Sequence, residues 1–213
     1  MNQIKRSIVL LSASPKTNQE YAVSEFLANR AEQQLLQEQI EVTRINVRHA
    51  LLRHETQTAF EAMQRADALV LFFPLYFFCM PALLTRFLQD YYAALTPNKN
   101  DGVRAKVYAF VNCGFPEAEI NTEAVRAIES FSGHVGMDFR FGVMIGGGGM
   151  MLASKDAPFV RAAHEEFDRV IARIQQEVLT GETEQAGTIS IALKFPRSLY
   201  FLGGNIGWKS TAR

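Results

Sequence analysis

Three short stretches carry the residues whose types and spacing could do chemistry. The first, Ser12-Ala13-Ser14-Pro15-Lys16-Thr17-Asn18-Gln19-Glu20-Tyr21, joins an apolar strand pattern to a helical one. A helix that begins there presents free backbone N–H groups and the positive end of its dipole, and both attract phosphate. Ser14, Thr17 and Asn18 add neutral donors and Lys16 a charge. There is no GxxxxGK[ST] motif and no acidic partner placed for magnesium, so a phosphate monoester held here would be held without a metal. The GxGxxG fingerprint is absent too. The competing reading is that serine and asparagine cap a helix and do nothing more. The second stretch, Pro74-Leu75-Tyr76-Phe77-Phe78-Cys79-Met80, is crowded with aromatics and bounded by Pro74 and Pro81. It suits a wall against a flat heteroaromatic ring, or, more plainly, an apolar surface loop over a core strand. The third, Asn112-Cys113-Gly114-Phe115-Pro116, also follows an apolar strand pattern.

The elements that must position these loops are legible in the hydrophobic pattern. Leu69–Phe73 has no polar alternation, as expected of a strand buried on both faces in the middle of a parallel sheet. Pro81 opens a helix with Leu84, Phe87, Leu88, Tyr91 and Leu95 at three- and four-residue steps. Ser7–Ser12, Gln39–Val47, Lys106–Val111 and Phe139–Ile145 read as the remaining strands. Helices fall between them. One carries Val23, Leu27, Ala31 and Leu35, a short one Ala59, Ala62, Met63 and Ala66, and another spans Asn121–Phe131. A long one begins at Asp156 and Pro158 and bears the stripe Phe159, Ala163, Phe167, Val170, Ile171, Ile174 and Val178. The spacing predicts an α/β fold: a three-layer, doubly wound, five-stranded parallel sheet in the order 2-1-3-4-5. A turn is expected at Pro97–Gly102 and a polar break at Gly181–Gly187, with an apolar, basic C-terminal tail, Ile189–Arg213, outside the strand pattern.

Composition narrows the function classes. The 213 residues are 48% hydrophobic, enough for one domain with a substantial core. Lysine and arginine equal aspartate and glutamate at 22 each, so no global field favours nucleic acid or an anionic membrane. Cys79 and Cys113 form no CxxC or metal-spaced cluster, and His49, His54, His134 and His164 have no ligand spacing, so no metal is expected. Ile8–Leu11 is too short for the apolar core of a secretion signal, and the uncharged run within Ala68–Tyr92 is shorter than the roughly 20 residues of a transmembrane helix and carries two prolines, Pro74 and Pro81. The expected location is cytoplasmic.

The order Ser14-Pro15-Lys16, then Phe73-Pro74-Leu75-Tyr76 with Pro81, then Asn112-Cys113-Gly114 resembles the NAD(P)H-dependent FMN reductase and quinone reductase group of flavodoxin-like flavoproteins, over roughly Ser7–Val178. The resemblance implies FMN as cofactor and NAD(P)H as co-substrate. It assigns Ser14, Lys16, Thr17 and Gln19 to Tyr21 to the phosphate, Pro74, Leu75, Tyr76 and Phe77 to the ring and ribityl chain, and Asn112, Cys113, Gly114 and Phe115 to the pyrimidine side. The chain departs from the group's usual Gly-Ser-Pro-Arg with a hydroxyl residue at the helix start: Ala13, Lys16 and Gln19-Glu20-Tyr21 stand there, and Glu20 must point away from a phosphate.

The resemblance further implies hydride transfer from nicotinamide to flavin N5 and on to a small acceptor at the same face, with ping-pong kinetics. Tyr76 is the expected aromatic beside the ring, and backbone N–H groups around Gly114 the expected stabilisers of negative charge. Both cysteines are expected to be buried small hydrophobes rather than redox groups. Gly146–Gly149 with Met150 and Met151 is open between a close approach of nicotinamide or substrate, an adaptable lip and a plain flexible loop. Two other classes stay open: a flavodoxin-type electron carrier, which the balanced charge disfavours, and a non-catalytic docking module. Residues 1–180 form the expected FMN-binding domain. Residues 181–213, with Trp208, form an extension that packs on its own domain or on a second subunit of a homodimer in preference to a membrane.

Overall fold

The computed structural model describes residues 5–36, 39–95, 105–182 and 187–202. The strands are β1 (Arg6–Ser12), β2 (Ile40–Asn46), β3 (Ala68–Pro74), β4 (Lys106–Asn112), β5 (Asp138–Ile145) and β6 (Ile189–Ile191). They form one six-stranded sheet, ordered β2-β1-β3-β4-β5-β6, and every neighbouring pair is parallel. The helices are α1 (Val23–Leu35), α2 (Val47–Leu52), α3 (Thr56–Arg65), α4 (Ala82–Leu95), α5 (Thr122–His134), α6 (Gly148–Ala153) and α7 (Pro158–Thr180). A further short helix covers residues 197–202.

The uninterrupted apolar run of β3 follows from having helices on both sides. Leu69, Leu71 and Phe73 enter one core with Phe60, Met63, Leu84, Phe87 and Tyr91, while Ala68, Val70 and Phe72 enter the other with Leu27, Phe167, Ile171 and Ile174. Alternate side chains of a strand point to opposite faces, so a strand covered twice can carry no polar position. Phe72 stacks on Phe110 with centroids 4.8 Å apart, and both are fully buried. Burial of a side chain of this size stabilises by about 1.5–3 kcal/mol, and truncation to alanine costs about 3–5 kcal/mol.

Several expectations are corrected. The sheet has six strands, not five, because the start of the tail pairs with β5: Val143, Met144 and Ile145 oppose Ile189, Ser190 and Ile191. An open β5 edge would leave its N–H and C=O groups unpaired, and Ile191 and Leu193 gain burial by covering it. Phe195 completes this packing against Phe159, with ring centroids 5.0 Å apart. The glycine run is not a loop throughout: Gly147 has φ 67° and starts α6. The segment before β3 holds two helices, α2 and α3, with the Asn46 side chain capping the first at the His49 N–H. Helix α7 begins at Pro158, and Asp156 provides no side-chain cap. Cys79 is exposed, not buried; Cys113 is buried. Among the described residues no helix is long and apolar enough to cross a membrane. The expected Pro97–Gly102 turn and the end of the tail, including Trp208, lie outside the described residues.

A buried ionic cluster closes the opposite, amino-terminal side of the sheet. Glu177 accepts hydrogen bonds from the Tyr108 hydroxyl at 3.0 Å and from Nε of both Arg140 and Arg173 at 3.2 Å. With the carboxylate satisfied from three sides, the cluster anchors α7 to β4 and β5.

Candidate functional site

Because all strands are parallel, the loops after β1, β3 and β4 leave one edge of the sheet. The strand order reverses between β1 and β3, and the carboxyl-end crevice at such a switch point is where open α/β sheets bind ligands. Backbone hydrogen bonds tie the loop starts together: Ala13 N–H to the Phe72 carbonyl at 2.9 Å, Leu75 N–H to Asn112 at 2.8 Å, and Cys113 N–H to Ile145 at 2.9 Å.

The first loop is shaped by its own side chains. Ser14 Oγ accepts from the Lys16 N–H at 3.3 Å and is buried, and Asn18 Oδ1 accepts from the Glu20 N–H at 3.1 Å, capping the single turn Gln19–Tyr21. Lys16 Nζ donates to the Tyr21 carbonyl at 2.7 Å, and the Gln19 amide donates to the Lys16 carbonyl. The longer helix α1 is left uncapped: its N-cap is Ala22, which has no side chain able to accept. The Glu25 and Phe26 N–H groups bond to the Ala22 carbonyl at 3.1 and 3.0 Å, and the first two, Val23 and Ser24, have no acceptor among the described residues. The backbone N–H groups of Ser14, Thr17 and Asn18 also have no acceptor among the described residues. Thr17, Glu20 and Tyr21 are exposed.

The second loop is a tight two-residue hairpin. Tyr76 and Cys79 exchange N–H···O bonds of 2.8 and 2.9 Å, and Phe77 and Phe78 between them have φ of 46° and 60°. Left-handed backbone at two bulky aromatics costs roughly 1–3 kcal/mol each. The turn puts Phe77 at 97% exposure and Tyr76 at 42%, beside Pro74 and the partly buried Leu75.

The third loop turns its carbonyls into the protein. Those of Cys113 and Phe115 accept from Gly148 and Gly147 at 2.9 and 2.7 Å, and that of Gly114 from the Tyr200 hydroxyl at 2.5 Å. The N–H groups of Gly114 and Phe115 have no acceptor among the described residues. Asn112 is buried and its amide points inward, donating to the Phe73 carbonyl at 3.1 Å and to Ser24 Oγ at 3.5 Å, so it ties strand ends together. The Cys113 thiol donates to the Phe115 carbonyl at 3.4 Å and lies 3.5 Å from Asn121 Nδ2. Burial pushes its pKa up, only partly opposed by those two hydrogen bonds, which leaves a protonated, unreactive thiol.

The close approach that Gly146 permits is to the chain itself: a Cβ there would lie 2.3 Å from the Pro116 carbonyl oxygen. Sequence reasoning missed the residues that brace this edge from the C-terminal arm. Ser190 donates to Glu119 at 3.0 Å, Arg197 pairs with Glu117 at 2.9 Å, and Tyr200 holds Gly114. Their only sequence signal is an aromatic, basic tail. Tyr92 is half exposed beside a 480 Å³ apolar cavity between α4 and α5; the tyrosine of the core stripe is Tyr91.

A family model described as flavodoxin-like fold matches residues 6–169. Among solved structures, an apo NADH:FMN oxidoreductase aligns with a TM-score of 0.63 at 18% identity, covering 92% of this chain and 98% of that one. An azoreductase from Bacillus anthracis aligns at 0.54 and 17%, covering 78% and 99%, and an NADPH-quinone reductase from P. pentosaceus at 0.54 and 13%, covering 81% and 97%. At such identities the likeness is one of fold. No curated protein matches the chain.

Proposed function

The chain belongs to the flavodoxin-like fold family, and from that premise we propose that it is an FMN-dependent NAD(P)H oxidoreductase acting on a small-molecule acceptor such as a flavin or quinone. The observation that carries this reading is the division of free donors along the switch-point edge. Unpartnered amides of the first loop and the uncapped start of α1 stand on one side, and those of Gly114 and Phe115 on the other. Between β1 and β4 lie two strand spacings, roughly 10 Å, which separates a phosphate end from a ring end. The residues fit FMN. Ser14, Thr17, Asn18 and Lys16 would hold the phosphate, Tyr76 and Pro74 would flank the ring, and the Gly114–Phe115 amides would face its pyrimidine. The neighbours named for NADH:FMN, azo-compound and quinone chemistry support the same class.

When bound, the flavin supplies hydride acceptance from the nicotinamide and delivery to the second substrate, in ping-pong order. The protein's share is positioning and charge stabilisation. Fixed amides at Gly114 and Phe115 need no reorganisation to meet negative charge on the pyrimidine, which is where such donors contribute most. Tyr76 and Phe77, exposed in the ligand-free protein, would cover one side of a bound ring and leave the other open for substrate. Cys79 and Cys113 take no part. The full-length protein should quench FMN fluorescence at micromolar concentration and, once loaded, bleach in stopped flow with NADH or NADPH at a catalytic rate. A protein that fails to quench FMN would sink the reading. One that binds FMN but is not reduced by either nicotinamide would point instead to an electron carrier.

A further inference from the structure

The C-terminal arm reaches the candidate site at one atom. Residues 189–191 pair with β5, Leu193 covers Gly147, and the arm is tied to the third loop and the turn after it through Ser190–Glu119, Arg197–Glu117 and Tyr200–Gly114 contacts. The last differs from the other two, because it grips the backbone of the loop that would face a ring. Gly114 has open space around it, with nothing within 4 Å of where a Cβ would stand, and glycine imposes little on its own backbone. Its peptide therefore takes its orientation from whatever holds the carbonyl, and that holder is the Tyr200 hydroxyl at 2.5 Å. A trans peptide is planar, with carbonyl and following N–H pointing in opposite directions. Fixing the Gly114 carbonyl toward the arm thus turns the Phe115 N–H away from it.

We infer that Tyr200 is a positioning residue: by pinning the Gly114 carbonyl it holds the Phe115 N–H as a preset donor to the ring of a ligand at the switch-point edge. The inference rests on the flavin reading proposed above for the identity of that ring, but the pinning is a property of the ligand-free protein. Burial, with Cys113 and Glu117 nearby, raises the Tyr200 pKa, so the hydroxyl remains a donor through neutral pH.

Tyr200→Phe removes the hydroxyl and keeps the ring. In the flavin-free full-length protein, the Phe115 amide should shift in the nitrogen–proton NMR spectrum, while that of Cys113, bonded to Ile145 in the sheet, does not change. In binding titrations FMN and riboflavin should weaken together by about three- to tenfold, the worth of one hydrogen bond, because the loop serves the ring and not the phosphate. The midpoint potential of bound FMN should become more negative. Leu199→Ala, an exposed change in the same short helix, is the control and should leave all three readouts alone. Unmoved Phe115 resonances in Tyr200→Phe overturn the inference, and so does a loss confined to FMN, which would place the effect at the phosphate. If wild type binds neither flavin, the functional reading fails, and the Phe115 amide alone decides whether Tyr200 pins the loop.

Discussion

Gly146 and Gly149 stand three positions apart in one glycine run, and alanine should have opposite effects at the two. A Cβ on Gly146 would meet Pro116 O at 2.3 Å, Pro116 C at 2.9 Å and Ala118 N at 3.1 Å, all backbone atoms that cannot swing aside. Relief requires the Phe115–Ala118 segment or the end of β5 to move by roughly 0.7 Å, since real Cβ atoms essentially never approach other heavy atoms closer than 3.0 Å. Such a shift strains the bonds that join the two segments, Gly147 N–H to Phe115 and Gly148 N–H to Cys113, and the Gly146 N–H bond to Ile191 in β6. Overpacking of this kind costs about 1–3 kcal/mol, and partial loss of one or two hydrogen bonds adds roughly 0.5–1.5 kcal/mol each. The total, about 1.5–6 kcal/mol, should lower the thermal midpoint by roughly 3–24 °C for a domain of this size. Gly149 has nothing within 4 Å and lies in the first turn of α6, so Gly149→Ala should be neutral or stabilise by up to about 1 kcal/mol. Urea unfolding followed by circular dichroism measures both. FMN affinity of still-folded Gly146→Ala should also drop, because the displaced segment carries the Phe115 amide. Equal effects of the two substitutions, or a Gly146→Ala protein as stable as wild type, would refute the argument that this approach sets the third loop.

Lys16→Ala should weaken FMN roughly ten- to a hundredfold by removing one charge-assisted contact, about 1.5–3 kcal/mol, and leave riboflavin nearly unchanged in parallel fluorescence titrations. Iodoacetamide on the native protein should add one label, at exposed Cys79, while buried Cys113 with its raised pKa reacts only after unfolding; peptide mass mapping reads the site. His164 is buried against Phe26 and its pKa is lowered, chiefly by burial, then by Arg30. The unfolded chain therefore binds a proton there more readily than the folded one. Its contribution is intact above the unfolded value of about 6.5 and is lost as pH falls below it. Unfolding curves from pH 7 to 5 should show a smaller acid loss in His164→Gln than in wild type.

The sequence by itself determined the parallel α/β sheet and the identity of the three edge loops. Runs such as Leu69–Phe73 can be satisfied only by burial on two faces, and parallel strands send every following loop to the same side. Helix phase was legible where the apolar steps were regular, in α7 and in α4, whose Leu84, Phe87, Leu88 and Tyr91 are buried while the adjacent Tyr92 faces a groove. What the loops do at the edge was decided by the tertiary structure alone. That Asn18 caps one short turn and leaves α1 free, that Lys16 folds onto Tyr21, and that the Asn112 amide faces Phe73 depend on distances no local pattern encodes. The alternation Ile189-Ser190-Ile191 was present in the chain, but three residues after a polar break make a strand only because β5 offers an open edge at that place. Tyr200 meets Gly114 across 86 positions of sequence, a contact that exists because β6 runs parallel to β5 and so delivers the arm to the carboxyl edge where the third loop emerges.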